Sequence, residues 1–165
     1  MKRLVPYFFF VAIGVAVILF FGLVYFQYLI WRDGGQLTRY LIPPYQSIWY
    51  LFSYVIGHKA YSYIVSLGIS FVFLGISILL NEIFEKKFFE EEEPYWGALG
   101  IFVLGTPWWL YYLVTVLLLG IIGSLVFVFW LKKCKRFSLY YLWPSTMVVF
   151  FLFQNFCFSC YNLIK

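Results

Sequence analysis

From Pro94 to Leu131 the chain runs for 38 residues without Asp, Glu, Lys, Arg or His, between the acidic run Glu90 to Glu93 and the basic cluster Lys132, Lys133, Lys135 and Arg136. A helix crosses the hydrocarbon core of a bilayer with about 20 residues at roughly 1.5 Å of rise each, so one straight span would overshoot. The run must fold back on itself. Gly105-Thr106-Pro107 supplies the break, because Gly tolerates left-handed backbone angles while Pro lacks a donor and biases the residue before it away from helix. The result is an uneven pair: a short segment, Pro94 to Leu104, and a full-length one, Trp108 to Leu131.

The remainder of the chain is equally apolar. Of 165 residues, 64% are hydrophobic and 12% charged, against a charged fraction of about 25% in soluble domains. This composition predicts an all-α integral membrane protein, and its length leaves room for a single polytopic domain over residues 1–165. The net charge of +5 sits in short clusters at the ends of apolar runs. That placement serves membrane orientation and gives no nucleic-acid surface; the partner it implies is the lipid bilayer.

Six segments are predicted. Val5 to Ile30 is too long for a signal peptide and lacks a small-residue cleavage site, so it reads as a retained helix. Leu41 to Ile56 follows, opened by Ile42-Pro43-Pro44 and closed by Gly57-His58-Lys59, with proline suited to a first helical turn. Ala60 to Leu80 makes the third segment, with Ser66, Ser70, Ser77, Gly68 and Gly75 at spacings that allow close helix approach. Glu82, four residues before Lys86, favours extension of that helix past the membrane. The short fourth and long fifth segments come next, the latter with a Gly120/Ser124 small-residue pair, and Tyr140 to Leu163 completes the count.

Alternation of six crossings puts Arg32, Arg39, Lys86, Lys87, Lys132, Lys133, Lys135 and Arg136 on one side, against Lys2, Arg3, Lys59 and Lys165 on the other. The excess predicts loops one, three and five in the cytoplasm of a cell inner membrane and the N-terminus outside, with Lys2 and Arg3 opposing that orientation. It also places Asp33 and the Glu90 to Glu93 run on the same side.

Candidate chemistry is sparse. Asp33 is the one aspartate in the chain, and a glutamate of the 90–93 run could pair with it, since two carboxylates a few ångströms apart share a proton and activate water. The structural alternative is that the acidic run is a solvated face or complements the helix N-terminus at Pro94. Cys157 and Cys160 have the spacing of a dithiol, and small buried thiols are the commoner use of such a pair. Cys134 lies among basic residues that favour its thiolate but has no neighbouring acid or histidine. His58, the sole histidine, has no second nitrogen ligand and no Ser-His-Asp partner, so no metal site or cofactor is expected. Inside the predicted spans there is no acid or base, which argues against a proton relay.

The order of these features between about Tyr25 and Phe153 resembles the prepilin peptidases, membrane-embedded aspartic proteases that trim leader peptides from type IV pilin precursors. In that family an Asp after a helix is followed by basic residues and an Ile-Pro that opens the next helix; Asp33, Arg39 and Ile42-Pro43 stand in that order. Trp96-Gly97-Ala98-Leu99-Gly100 is similar to the short helix after the family's second Asp, Leu104 to Trp108 to its turn, Leu117 to Leu125 to its Gly-containing helix, and Lys132 to Phe137 to its basic link. The motif around that second Asp departs: Glu92 stands in its place without the flanking glycines, and Pro94 where a Lys is usual. The zinc-cysteine loop and methyltransferase segment have no counterpart. The resemblance implies a prepilin-peptidase-like bundle and a catalytically impaired leader peptidase, with Asp33 and Glu92 as its carboxylates and membrane-anchored pilin-like precursors as substrates. The reading from a different class is a non-catalytic small subunit of a larger membrane complex.

Overall fold

A computed structural model describes residues 4–85, 89–131 and 139–164. Among them every regular element is helical: α1 (Val5–Asp33), α2 (Gln36–Arg39), α3 (Ile48–Val55), a π turn (Ile56–Ala60), α4 (Tyr61–Ile83), α5 (Glu93–Leu104), α6 (Trp108–Leu131) and α7 (Leu142–Ile164). Among the described residues three stretches are long and apolar enough to cross a membrane: Val5–Asp33, Ile48–Ile83 and Trp108–Val126.

The largest departure from expectation is at Gly57-His58-Lys59. Instead of closing one helix before another opens, these residues form the π turn, and α3, the turn and α4 run on as one 36-residue helix, Ile48–Ile83. No proline stands at the junction. A lone glycine costs a helix only about 1 kcal/mol, and widening one turn to the π geometry absorbs it without a break. The Tyr54 carbonyl accepts from His58 Nδ1 at 3.1 Å, and the two rings stack at 4.4 Å. The second and third predicted segments are therefore one. Pro43 and Pro44 do not open a helix either: residues 40–46 form turns, and α3 starts at Ile48 behind Ser47.

α1 packs antiparallel to this long helix. Trp31 meets Tyr50 and Tyr54, Phe20 meets Phe52, and Phe9 meets Phe71. α5 is the centre of the fold. It is only 12 residues long, about 18 Å, and nine of those residues are buried, as expected of a helix apolar on every face. Its Gly97, Ala98, Gly100 and Ile101 pack among α1, α4, α6 and α7.

The serines predicted to pack do so: Ser66, Ser70 and Ser77 are buried with Leu74 along one face of α4. Gly68 and Gly75 are exposed, with open space where a Cβ would stand. Gly120 accommodates Leu139, whose Cδ2 would lie 2.6 Å from an added Cβ, whereas Ser124 is exposed and bonds back to the Gly120 carbonyl. The predicted break after α5 is present. Gly105 adopts φ +68°, and the Ser62 hydroxyl accepts from the Thr106 N–H at 2.9 Å and reaches the Thr106 carbonyl at 3.0 Å. α5 therefore ends level with the middle of the long helix, and α6 turns back from there.

Candidate functional site

Asp33 is the last residue of α1 and is exposed. Arg32 holds it, donating from Nε at 2.9 Å and from Nη2 at 3.1 Å, while Arg39 Nε donates to the Arg32 carbonyl at 3.0 Å. These contacts make an exposed loop clasp between α1 and α2.

Glu92 is at the other end of the molecule. Phe9, near the start of α1, packs with Ala98 and Leu99 of α5, and Glu92 immediately precedes α5 at the end nearer the α4–α5 connection. The 24 residue steps from Phe9 to Asp33 correspond to about 36 Å of helix. The structure thus does not bring Asp33 and Glu92 together: they stand at opposite ends of the bundle. The cause is the long helix, which carries the chain from the Asp33 end of the bundle to the α5 end in one run.

Around Glu92 the surroundings are buried and polar. Asn81 spans the loop before it, donating from Nδ2 to the Phe89 carbonyl at 3.0 Å and accepting from the Phe89 N–H at 2.7 Å. Glu93 is 1% exposed, and its Oε2 accepts from the Glu90 N–H at 3.1 Å. Glu93 thus ties back the loop before α5, and no side-chain hydrogen bond caps the helix at Glu92. Glu92 is also buried, and its Oε1 lacks hydrogen-bond geometry to any described group, as do the indole nitrogens of Trp96 and Trp143. The Tyr140 hydroxyl feels both neighbours: Trp96 favours its anion, but desolvation and the Glu92 carboxylate outweigh that and hold the phenol above its usual pKa. Tyr112 closes the layer beneath, donating to the Trp143 carbonyl at 3.2 Å.

Compared with protein-family models, curated proteins and solved structures, the chain matches none. Site assignment rests on the geometry alone. That geometry contains no cluster of three metal-ligating side chains among the described residues. Cys157 is half-buried; Cys134 and the Cys160 side chain, like Lys86 and the basic cluster from Lys132 to Arg136, lie outside the described residues.

One feature of the site was hidden in the sequence. His58 and Lys59, assigned there to a loop, lie inside an apolar helix. Lys59 lines a groove of about 530 Å³ whose other walls are apolar: Ile13, Ala16, Phe20 and Leu23 of α1, Tyr63 and Leu67 of α4, and Phe102 of α5. The clue was available in one respect, since Ile56 to Ala60 contains no proline to end a helix.

Proposed function

We propose that this protein is a non-catalytic membrane subunit that offers its uncovered helices to larger partners. The observation that carries this reading is how little of each span the chain covers by itself. Only 11% of the most apolar window of α1 and 17% of that of the long helix are buried, and large aromatics such as Phe8, Tyr25, Trp49 and Phe71 point outward from both. Aromatic and small-residue faces of this kind are how membrane helices associate where no water drives them together. The separation of Asp33 from Glu92 weighs against the leader-peptidase reading, which needs both carboxylates at one substrate bond.

The membrane arrangement we favour has α1 and the long helix crossing in opposite directions and α5 as a half-length insertion sealed by its neighbours, as a non-spanning segment at membrane depth must be. Lys2, Arg3, Lys86, Lys87, Lys132, Lys133, Lys135 and Arg136 then belong to one side, eight residues, against Arg32, Arg39 and Lys165 on the other. The N-terminus becomes cytoplasmic, and Lys2 and Arg3 agree with the rest of the count instead of opposing it.

Purification of the tagged full-length chain in mild detergent tests the subunit reading. Co-purification in fixed stoichiometry with other membrane proteins is the expected result. A monodisperse monomer of the chain alone, from the same membranes, refutes it.

A further inference from the structure

We propose that the groove between α1 and the long helix holds one acyl chain of an anionic phospholipid, with Lys59 engaging its phosphate. The proposal does not rest on the subunit reading.

The groove exists because α5 is short. Where α5 is present, it fills the space between α1 and α4; below Phe102 and the Gly105 turn that space stays open. Its walls run from Ile13 to Leu23 along α1, ten steps or about 15 Å. That length is half of a hydrocarbon core about 30 Å thick. A crossing helix from a partner requires the whole thickness, but α5 closes the groove at one end and the cluster of Val24, Trp31, Leu51 and Val55 closes it at the other. A flexible acyl chain can enter from the side and needs only that length, so the shape selects lipid over helix.

Charge selects the headgroup. Among the residues lining the groove Lys59 alone is charged, and no carboxylate of the described residues forms an ion pair with it. An ammonium inside an apolar span needs a counter-charge or a route to the interface. Helical side chains tilt toward the N-terminus of their helix, and the N-terminus of the long helix is at the Trp31 end, where Trp31, Trp49, Tyr50 and Tyr54 gather. Lys59 therefore extends toward the headgroups of that leaflet with its stem along the apolar wall. An anionic phosphate lipid whose tail enters the groove supplies both the apolar filling and the counter-charge.

The test is native mass spectrometry of the full chain released from nanodiscs of equal phosphatidylglycerol and phosphatidylcholine. The wild-type chain is expected to retain phosphatidylglycerol over phosphatidylcholine by about fivefold, the effect of one basic residue at a lipid surface. Lys59→Gln brings that ratio to about one, since only the charge is removed. Ala16→Phe fills the groove and lowers retention of both lipids, while Val72→Phe, on an exposed face of α4 that does not line the groove, leaves retention unchanged and controls for folding. Retention without headgroup preference in the wild type, retention unaltered by Ala16→Phe, or a second protein chain found in place of the lipid overturns the proposal. None of these lipid outcomes alters the co-purification result, so the two readings fail separately.

Discussion

Replacing Gly100 with Ala tests whether α5 is the packed centre of the molecule. A Cβ at Gly100 would lie 2.4 Å from Cζ and Oη of Tyr112 and 2.5 Å from its Cε1. Tyr112 is fully buried, with its hydroxyl bonded to the Trp143 carbonyl at 3.2 Å, so the ring has no free direction of retreat. Overpacking a filled core costs about 1–3 kcal/mol, and displacing the hydroxyl adds about 1 kcal/mol for the lost hydrogen bond. Against this, alanine is preferred over glycine in a helix by about 1 kcal/mol. The net expected loss is about 1–3 kcal/mol. Gly68→Ala and Gly75→Ala are the matched controls, because both glycines lie in α4 with nothing within 4 Å of the added carbon. They are expected to be neutral or to gain up to about 1 kcal/mol. Reversible unfolding by dodecyl sulfate in mixed micelles measures all three. If Gly100→Ala falls within about 0.5 kcal/mol of the controls, the ordinary error of adding independent effects, the central placement of α5 is refuted.

Three further outcomes follow from the geometry. Ser62→Ala removes the one side chain bonded to both the N–H and the carbonyl of Thr106; a loss of about 1–3 kcal/mol and faster amide exchange at residues 105–108 are expected, and unchanged exchange would refute that tie. Spin labels at Asp33→Cys and Glu92→Cys, with the native cysteines replaced by Ser, should lie more than about 30 Å apart by pulsed electron resonance; a distance under about 15 Å would restore the carboxylate pair. Glu92→Gln removes a charge that raises the Tyr140 pKa, so the phenol, assigned by comparison with Tyr140→Phe, should ionise at lower pH than in the wild type. A titration that does not move, or moves upward, refutes the coupling.

Much of this fold follows from one-dimensional features. A long uncharged run with Gly105-Thr106-Pro107 inside it determined the short and long helices of α5 and α6, because a chain in an apolar solvent must be helical and only a breaker of that kind interrupts it. The serine stripe of α4 was legible for the same reason, as a periodicity that survives folding. The sequence could not distinguish Gly57-His58-Lys59 as a loop from the same residues as a π turn. The local cost of either is small, and packing along α1 decides between them. That decision exceeds its size. It separates Asp33 from Glu92, carries Lys59 into the apolar span and, with the short α5, opens the groove beside it. Glycines show the same division: Gly68 and Gly100 look alike as letters in apolar helices, and only their neighbours in three dimensions make one indifferent and the other indispensable to close packing. Composition and breakers set which segments are helices, since those are local free energies; which helix ends meet is set by non-local contacts that no local pattern encodes.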